Sequence, residues 1–189
     1  SSSSTLEEGQ SLPKWLLPAV LLGLGSLAWS RRFILDDAFI SFRYARNLAH
    51  GQGLVWNAGE WVEGYTNFAW TLWLSLAFTF DLEPVLFAQL SGWVAFLAGL
   101  TALWFAARAL LGDRVPAMVA VLLLGMTPTF NAFATGGLET SLQAALLTTS
   151  FAIALRIWRA GAATVLNAAL LSCVLGLVVL TRMDSAAIG

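Results

Sequence analysis

Long uncharged runs alternate with short charged breaks along this chain. The runs cover residues 15–30, 64–80, 84–107, 115–138, 140–155 and 160–181. A helix needs about 20 apolar residues to cross a bilayer. The third, fourth and sixth runs reach that length alone, and the first and fifth reach it by borrowing flanking residues. The second run is shorter and carries Tyr65, Thr66, Asn67 and Thr71. The pattern predicts an all-α integral membrane protein. No internal repeat and no coiled-coil heptad is present. Gly92 and Gly99 stand seven residues apart, which is not the four-residue spacing of the small-residue packing motif.

The charges between the runs set the expected topology. Positive residues in short loops prefer the cytoplasmic side. Arg108 and Arg114 separate the third and fourth runs, and Arg156 and Arg159 separate the fifth and sixth. With both loops and Lys14 inside, residues 15–30 run outward and 84–107 run inward. Residues 31–83 then form one external excursion, and the run 64–80 lies in the interface rather than crossing. The expectation is about five transmembrane helices, with Arg31, Arg32, Arg43 and Arg46 external beside Asp36, Asp37, Glu60 and Glu63. Long loops follow the charge rule less strictly than short ones.

Two juxtamembrane helices are expected inside the excursion. Asp36 or Asp37 can cap a helix reaching Ala49, with Phe39, Phe42 and Ala49 near helical spacing. Gly51-Gln52-Gly53 ends it, and Asn57-Ala58-Gly59 and Glu63-Gly64-Tyr65 read as turns. Thr66 or Asn67 can cap a second helix rich in Trp70, Trp73, Phe68, Phe78 and Phe80, suited to the headgroup level.

Composition sharpens the class. The chain of 189 residues is 58% hydrophobic and 11% charged, with nine Trp and twelve Phe. Soluble domains carry about 25% charged residues. A net charge of −1 with no basic stripe offers nothing to nucleic acid. Cys173 is the single cysteine and lies in an apolar run, which excludes an intrachain disulfide. His50 is the single histidine, so two-histidine metal motifs are excluded. Ser1-Ser2-Ser3-Ser4 opens a stretch, 1–11, that reads as a disordered polar tail. Residues 12–189 read as the N-terminal part of a longer transmembrane module. The bulky, charged Trp29-Ser30-Arg31-Arg32 is a poor cleavage site, so the first helix is expected to be retained.

Against this apolar background the acids stand out. Asp36-Asp37 can be a helix N-cap plus a dipole partner, worth about 1 kcal/mol. One Asp suffices for that, and a second at a membrane exit suits a general base. Gly136-Gly137-Leu138-Glu139-Thr140 reads as a glycine turn and a helix start. Glu139 is the only charge between Arg114 and Arg156, and the charge map puts it on the same face as Asp36. Arg182 and Asp184 follow the sixth run on that side. They can anchor the helix end in the interface, or the Arg182 guanidinium can meet a phosphate. Seven residues separate Asp36 from Arg43, nearly two full turns, so Arg43 can pair with Asp36 or meet an anionic headgroup. Glu63, before Gly64-Tyr65-Thr66-Asn67, either edges the site or is solvated. No phosphate-cradling loop, nucleophile elbow or zinc signature is present.

The string Asp36-Asp37-Ala38-Phe39-Ile40-Ser41-Phe42-Arg43-Tyr44-Ala45-Arg46-Asn47 resembles the first external loop of bacterial GT-C fold glycosyltransferases. So does the string from Gly51-Gln52-Gly53 to Gly64-Tyr65-Thr66-Asn67. The resemblance is strongest to mycobacterial-type terminal arabinofuranosyltransferases, and more distant to protein mannosyltransferases and lipid A aminoarabinose transferases. It continues at Ala134-Thr135-Gly136-Gly137-Leu138-Glu139-Thr140 and Leu180-Thr181-Arg182. Met183-Asp184 departs from the family, where many members carry Pro before an acid.

The resemblance implies a multi-pass enzyme of the bacterial cytoplasmic membrane, active at its external, periplasmic face. A lipid-linked sugar donor, a polyprenyl phosphate, would give its sugar to a glycan or lipid acceptor by displacement with inversion. Asp36 or Asp37 would take the acceptor proton. Glu139 would occupy the family's second acidic position, orienting the acceptor or helping to hold a divalent metal, Mg²⁺ or Mn²⁺. Arg43 or Arg182 would meet the leaving phosphate. Membrane lipids and other membrane complex subunits are further expected partners. Two rival classes remain: a non-catalytic structural subunit or fragment of a membrane complex, and a transporter. A transporter favours acids near the bilayer midplane, whereas these cluster at run ends.

Overall fold

The computed structural model describes residues 12–60, 62 and 64–183. Among these residues the chain is all-helical, with eight helices and no strand. They are α1 (Leu16–Ser30), α2 (Ala38–Ala49), α3 (Phe68–Thr79), α4 (Pro84–Leu111), α5 (Arg114–Met126), α6 (Pro128–Phe133), α7 (Thr140–Ala160) and α8 (Val165–Thr181).

α4 is the axis of the bundle. Its start is set by Glu83, whose carboxylate accepts from the Val85 and Leu86 amides, and by Pro84, which needs no hydrogen-bond acceptor there. One side of α4 packs on α1 and α5 through Leu24, Ala28, Phe96, Leu100, Trp104, Met118 and Val121. Near its start, Ala88 joins a second core built from Ala38, Phe42 and Ala45 of α2 and Trp70 and Leu74 of α3. α7 runs parallel to α4 along a seam of small residues. A Cβ on Gly99 would lie 3.2 Å from Ala145 Cα of α7, and one on Gly92 would lie 2.7 Å from the carbonyl oxygen of Ala134, in the segment between α6 and α7. The spacing of seven that fails the four-residue motif still returns to one face after two turns. That face therefore takes two close backbone approaches, one from the segment ahead of α7 and one from α7 itself.

Two helices, α4 and α7, are long and apolar enough to cross a membrane. α1, α5 and α8 are apolar but shorter, with 15, 13 and 17 residues. The uncharged run 115–138 is not one helix. Pro128 cannot continue the ladder of α5, and it holds Thr127 extended at φ −58° and ψ 119°. α6 then starts afresh, with Pro128 in its first turn.

The expected helix to Ala49 forms, but its buried face differs from the expected one. Ala38, Ser41, Phe42, Tyr44 and Ala45 are buried, while Phe39 is 51% exposed. The inward face thus mixes the aromatic Phe42 and Tyr44 with small residues, and it brings the Ser41 hydroxyl into the interior. α3 also forms, and its 12 residues span about 18 Å, too short for a bilayer core of about 30 Å.

Among the described residues the cations of the short loops gather at one end of the bundle, while Arg182 sits with the acids at the other. Lys14, Arg108 and Arg114 line one pocket, and the Arg114 Nη1 donates to the Leu12 carbonyl at 3.0 Å. Arg159 reaches the Leu110 carbonyl at the same end. The acids Asp36, Asp37 and Glu139 lie at the other end, where α4 and α7 begin and α8 finishes. There Gln89 Nε2 of α4 donates to the Phe33 carbonyl at 3.1 Å, holding the segment that leads to the acidic pair.

Candidate active site

Four separate chain segments meet at the acidic end. The glycine turn before α7 is the first. Its Gly136 carbonyl accepts from the Leu35 amide at 3.0 Å, one residue ahead of Asp36. Its Gly137 carbonyl accepts from Trp70 Nε1 at 3.1 Å. Gly137 has φ +83°, and a Cβ there would lie 2.2 Å from Ile34 Cδ1 and 3.1 Å from Ala38 Cβ. Only glycine fits both demands. The turn is therefore clamped between the acidic-pair segment and α3.

This turn delivers Glu139, which is only 6% exposed. It stands at the N-cap of α7, but its side chain caps nothing there. Its Oε2 instead accepts from Asn67 Nδ2 at 2.8 Å, and its Oε1 lies 3.8 Å from Arg182 Nη1. Asn67 is the hub. Nδ2 also donates to Ser41 Oγ at 3.0 Å, and Oδ1 accepts from Thr71 Oγ1 at 2.9 Å. Asn67 precedes α3 in the N-cap position, yet its side chain does not cap the helix as the sequence suggested. Thr71 follows one turn later on the same face. Arg182 closes the cluster from the end of α8, where the Met183 amide also reaches the Thr66 carbonyl. The Arg182 side chain remains 41% exposed, so part of the guanidinium faces outward beside the buried Glu139.

The acidic pair lies outside this network. Asp36 and Asp37 are exposed in the turn that begins α2, and their carbonyls accept from the Phe39 and Ile40 amides. Asp37 holds the N-cap position with no side-chain cap. Neither carboxylate has a hydrogen-bond or ion-pair partner among the described residues. Arg43 does not pair with Asp36. It donates to the Trp56 carbonyl at 2.8 Å and to Asn57 Oδ1 at 2.6 Å, with its guanidinium 4.4 Å from the Trp56 ring centroid. Its work is to hold the turn at 56–57. Glu63 and Asp184 lie outside the described residues. Sequence reasoning missed Asn67 as a hub and Ser41 and Thr71 as its partners. The available signal was polar residues at Asn67 and Thr71, four apart in an otherwise apolar run.

An apolar groove of about 710 Å³ opens beside this cluster, between α3, α4, α7 and α8. Trp70, Trp73, Val94, Leu146 and Leu177 line it, and Thr181 stands at the Arg182 end. A second groove of about 690 Å³ shares Ala98 and Thr149 with it and continues to Arg156 and Arg159. The two make one apolar channel along the α4–α7 seam.

Over 139 residues, 68% of its length, the chain is 37% identical to a terminal β-(1→2)-arabinofuranosyltransferase of Mycobacterium tuberculosis. This chain is a homologue of terminal arabinofuranosyltransferases. It is also 39% identical over 69 residues to the enzyme of the same name from Corynebacterium glutamicum. The matches span 22% and 10% of the lengths of these two relatives. No family model and no solved structure matches. In this arabinofuranosyltransferase homologue, the described residues hold no group of three or more His, Cys, Asp or Glu placed to share a metal ion. Glu139 has a guanidinium and an amide on its two oxygens, which is an anion's environment rather than a cation ligand's.

The glycine clamp makes a direct prediction. Gly137→Ala should destabilise the protein by about 2–5 kcal/mol, summing left-handed backbone strain and overpacking against Ile34. Gly51→Ala, where nothing lies within 4 Å of the new Cβ, should cost only the backbone strain. Thermal melts of the two variants check the difference.

Proposed function

We propose that this chain carries the acidic site of a membrane glycosyltransferase that moves a sugar from a polyprenyl-phosphate donor to an acceptor hydroxyl. The relatives' name makes an arabinofuranosyl residue the sugar we assign. The observation that carries the reading is the pair of unpartnered carboxylates, Asp36 and Asp37, held beside the turn that bears Glu139. A carboxylate spent on structure would have a partner, and these have none among the described residues.

One member of the pair accepts the proton of the acceptor hydroxyl as its oxygen attacks the anomeric carbon. The bond from that carbon to the phosphate oxygen breaks, and the electron pair leaves with the lipid phosphate. The transition state has oxocarbenium character, as in glycoside hydrolysis. Arg182, half exposed at the end of α8, is the cation we assign to the leaving phosphate. Glu139 keeps Arg182 in place, and its turn is hydrogen-bonded to the pair's segment through Leu35, so we assign it to orient the acceptor. The channel along α4 and α7 takes the polyprenyl chain, whose apolar length matches its apolar walls.

In the membrane, α1, α4, α5 with α6, α7 and α8 cross, and α2 and α3 lie in the outer interface. The basic end faces the cytoplasm, as short positive loops prefer. The gathering of Lys14, Arg108, Arg114 and Arg159 at one end supports this arrangement.

A polyprenyl phosphate with a photoreactive group in its tail tests the donor seat. We expect crosslinks on channel residues such as Val94, Ala98 and Leu146, lost when unlabelled donor is added. Crosslinks spread evenly over every apolar face, and unaffected by donor, would remove the channel from the reading. The stereochemistry is tested separately. Single displacement requires opposite anomeric configurations in donor and product. Equal configurations would instead make one carboxylate a nucleophile in a two-step reaction.

A further inference from the structure

The basic end of the bundle carries a feature that sugar transfer does not use. Lys14, Arg108 and Arg114 surround a pocket of about 130 Å³. They come from three different places: the turn before α1, the last turn of α4 and the first residue of α5. Trp104 and Met118 line it with apolar surface, and among the described residues no acid lines the pocket. Neither Lys14 nor Arg108 has a hydrogen-bond or ion-pair partner among the described residues, and Arg114 has only the Leu12 carbonyl at 3.0 Å. The neighbouring acid, Asp113, is engaged elsewhere, accepting from the Val115 amide at 3.2 Å as the cap of α5. Three cations facing one pocket repel each other unless an anion sits among them. The positive end of the α5 dipole adds to the same demand.

We propose that this pocket binds the phosphodiester headgroup of an anionic membrane phospholipid. A lipid, rather than a free phosphate, is favoured by what surrounds the pocket. Leu110, Leu111 and Val115, close in the chain to Arg108 and Arg114, are exposed and offer apolar surface to acyl chains, while the cations take the headgroup. Basic pockets between helices at the cytoplasmic side recognise anionic lipid in this way. The proposal rests on the membrane placement given above but not on the transfer chemistry, and the site lies at the opposite end of α4 from Glu139.

The test uses the intact protein in neutral detergent and follows thermal melting during titration with phosphatidylglycerol, phosphatidylcholine or inorganic phosphate. Phosphatidylglycerol should raise the melting temperature saturably and the other two should not. The Lys14→Gln, Arg108→Gln, Arg114→Gln triple variant should weaken apparent phosphatidylglycerol affinity by about 100-fold. Arg108→Gln alone, at an exposed residue without partners, leaves the fold intact and should weaken it by about fivefold. Equal shifts with phosphatidylcholine, or an unchanged affinity in the variants, would overturn the site. An equal shift with inorganic phosphate would reassign it to a free anion and overturn the lipid. Flotation on neutral phosphatidylcholine vesicles reads the membrane placement separately. Protein that floats yet shows no phosphatidylglycerol preference defeats only the pocket, and protein that does not float defeats the membrane placement.

Discussion

Replacing Asp36 and Asp37 together by Asn in the intact protein is expected to cut sugar transfer by roughly 100-fold to 10,000-fold while the protein melts almost as before. The activity figure is the range that general-base catalysis supplies. The stability expectation comes from the structure. Neither carboxylate has a partner among the described residues, so amides of nearly the same shape disrupt no hydrogen bond. Surface changes of this kind stay within about 0.5 kcal/mol. The helix start does not depend on them either, since Asp37 occupies the N-cap position without a side-chain cap. The single variants divide the work. The one at the base should fall nearly as far as the double, and the other should fall much less. Unchanged transfer in both singles and in the double would remove the pair from the chemistry and leave Glu139 as the acid to examine.

The second large effect concerns Asn67. Asn67→Asp keeps the shape but replaces the Nδ2 donor with a second acceptor facing Glu139. A contact of 2.8 Å that now joins amide to carboxylate would become one between two carboxylates in a buried setting. A second buried carboxylate there loses the hydrogen bond and adds like-charge repulsion, so Asn67→Asp should cost more than the loss of the donor alone. Asn67→Ala removes the donor without adding charge and should cost about 1.5–3 kcal/mol. The decisive variant exchanges the partners. Asn67→Asp with Glu139→Gln restores one donor and one acceptor across the same gap, so stability should return. Transfer should not return with it if the Glu139 carboxylate orients the acceptor or holds Arg182 for the phosphate. Recovery of both would make Glu139 a purely structural partner, as a non-catalytic subunit would use it.

How far these residues were legible in the sequence depends on what each one signals. The uncharged runs and the Gly and Asn turns placed the helices of the first loop well, because turn chemistry is local, although neither expected side-chain cap forms. The short-loop arginines marked one end of the bundle, because that reading needs no knowledge of packing. Glu139 could be singled out as a solitary acid, and the family string brought Asp36 and Asp37 forward. The break at Thr127-Pro128 was readable from the proline, but a run of apolar residues hid it. Asn67 was not readable as a hub. An Asn ahead of a helix suits a cap, and only the arrival of Ser41, Thr71 and Glu139 from three other places turns it inward. Arg43 was misplaced for the same reason. Helical spacing put it near Asp36, while the aromatic face of Trp56 and the carbonyl beside it captured the guanidinium. Long-range hydrogen bonds decided both cases, and periodicity carries no record of them.

Whether these carboxylates serve transfer from a lipid phosphate is decided by giving the purified intact protein a polyprenyl-phosphate arabinofuranose and an oligoarabinoside, and counting both products. The prediction is one polyprenyl phosphate released for each sugar transferred, and loss of both in the Asp36→Asn, Asp37→Asn double variant. Transfer at the wild-type rate by that folded double variant, or no transfer by the folded wild-type protein, would contradict it.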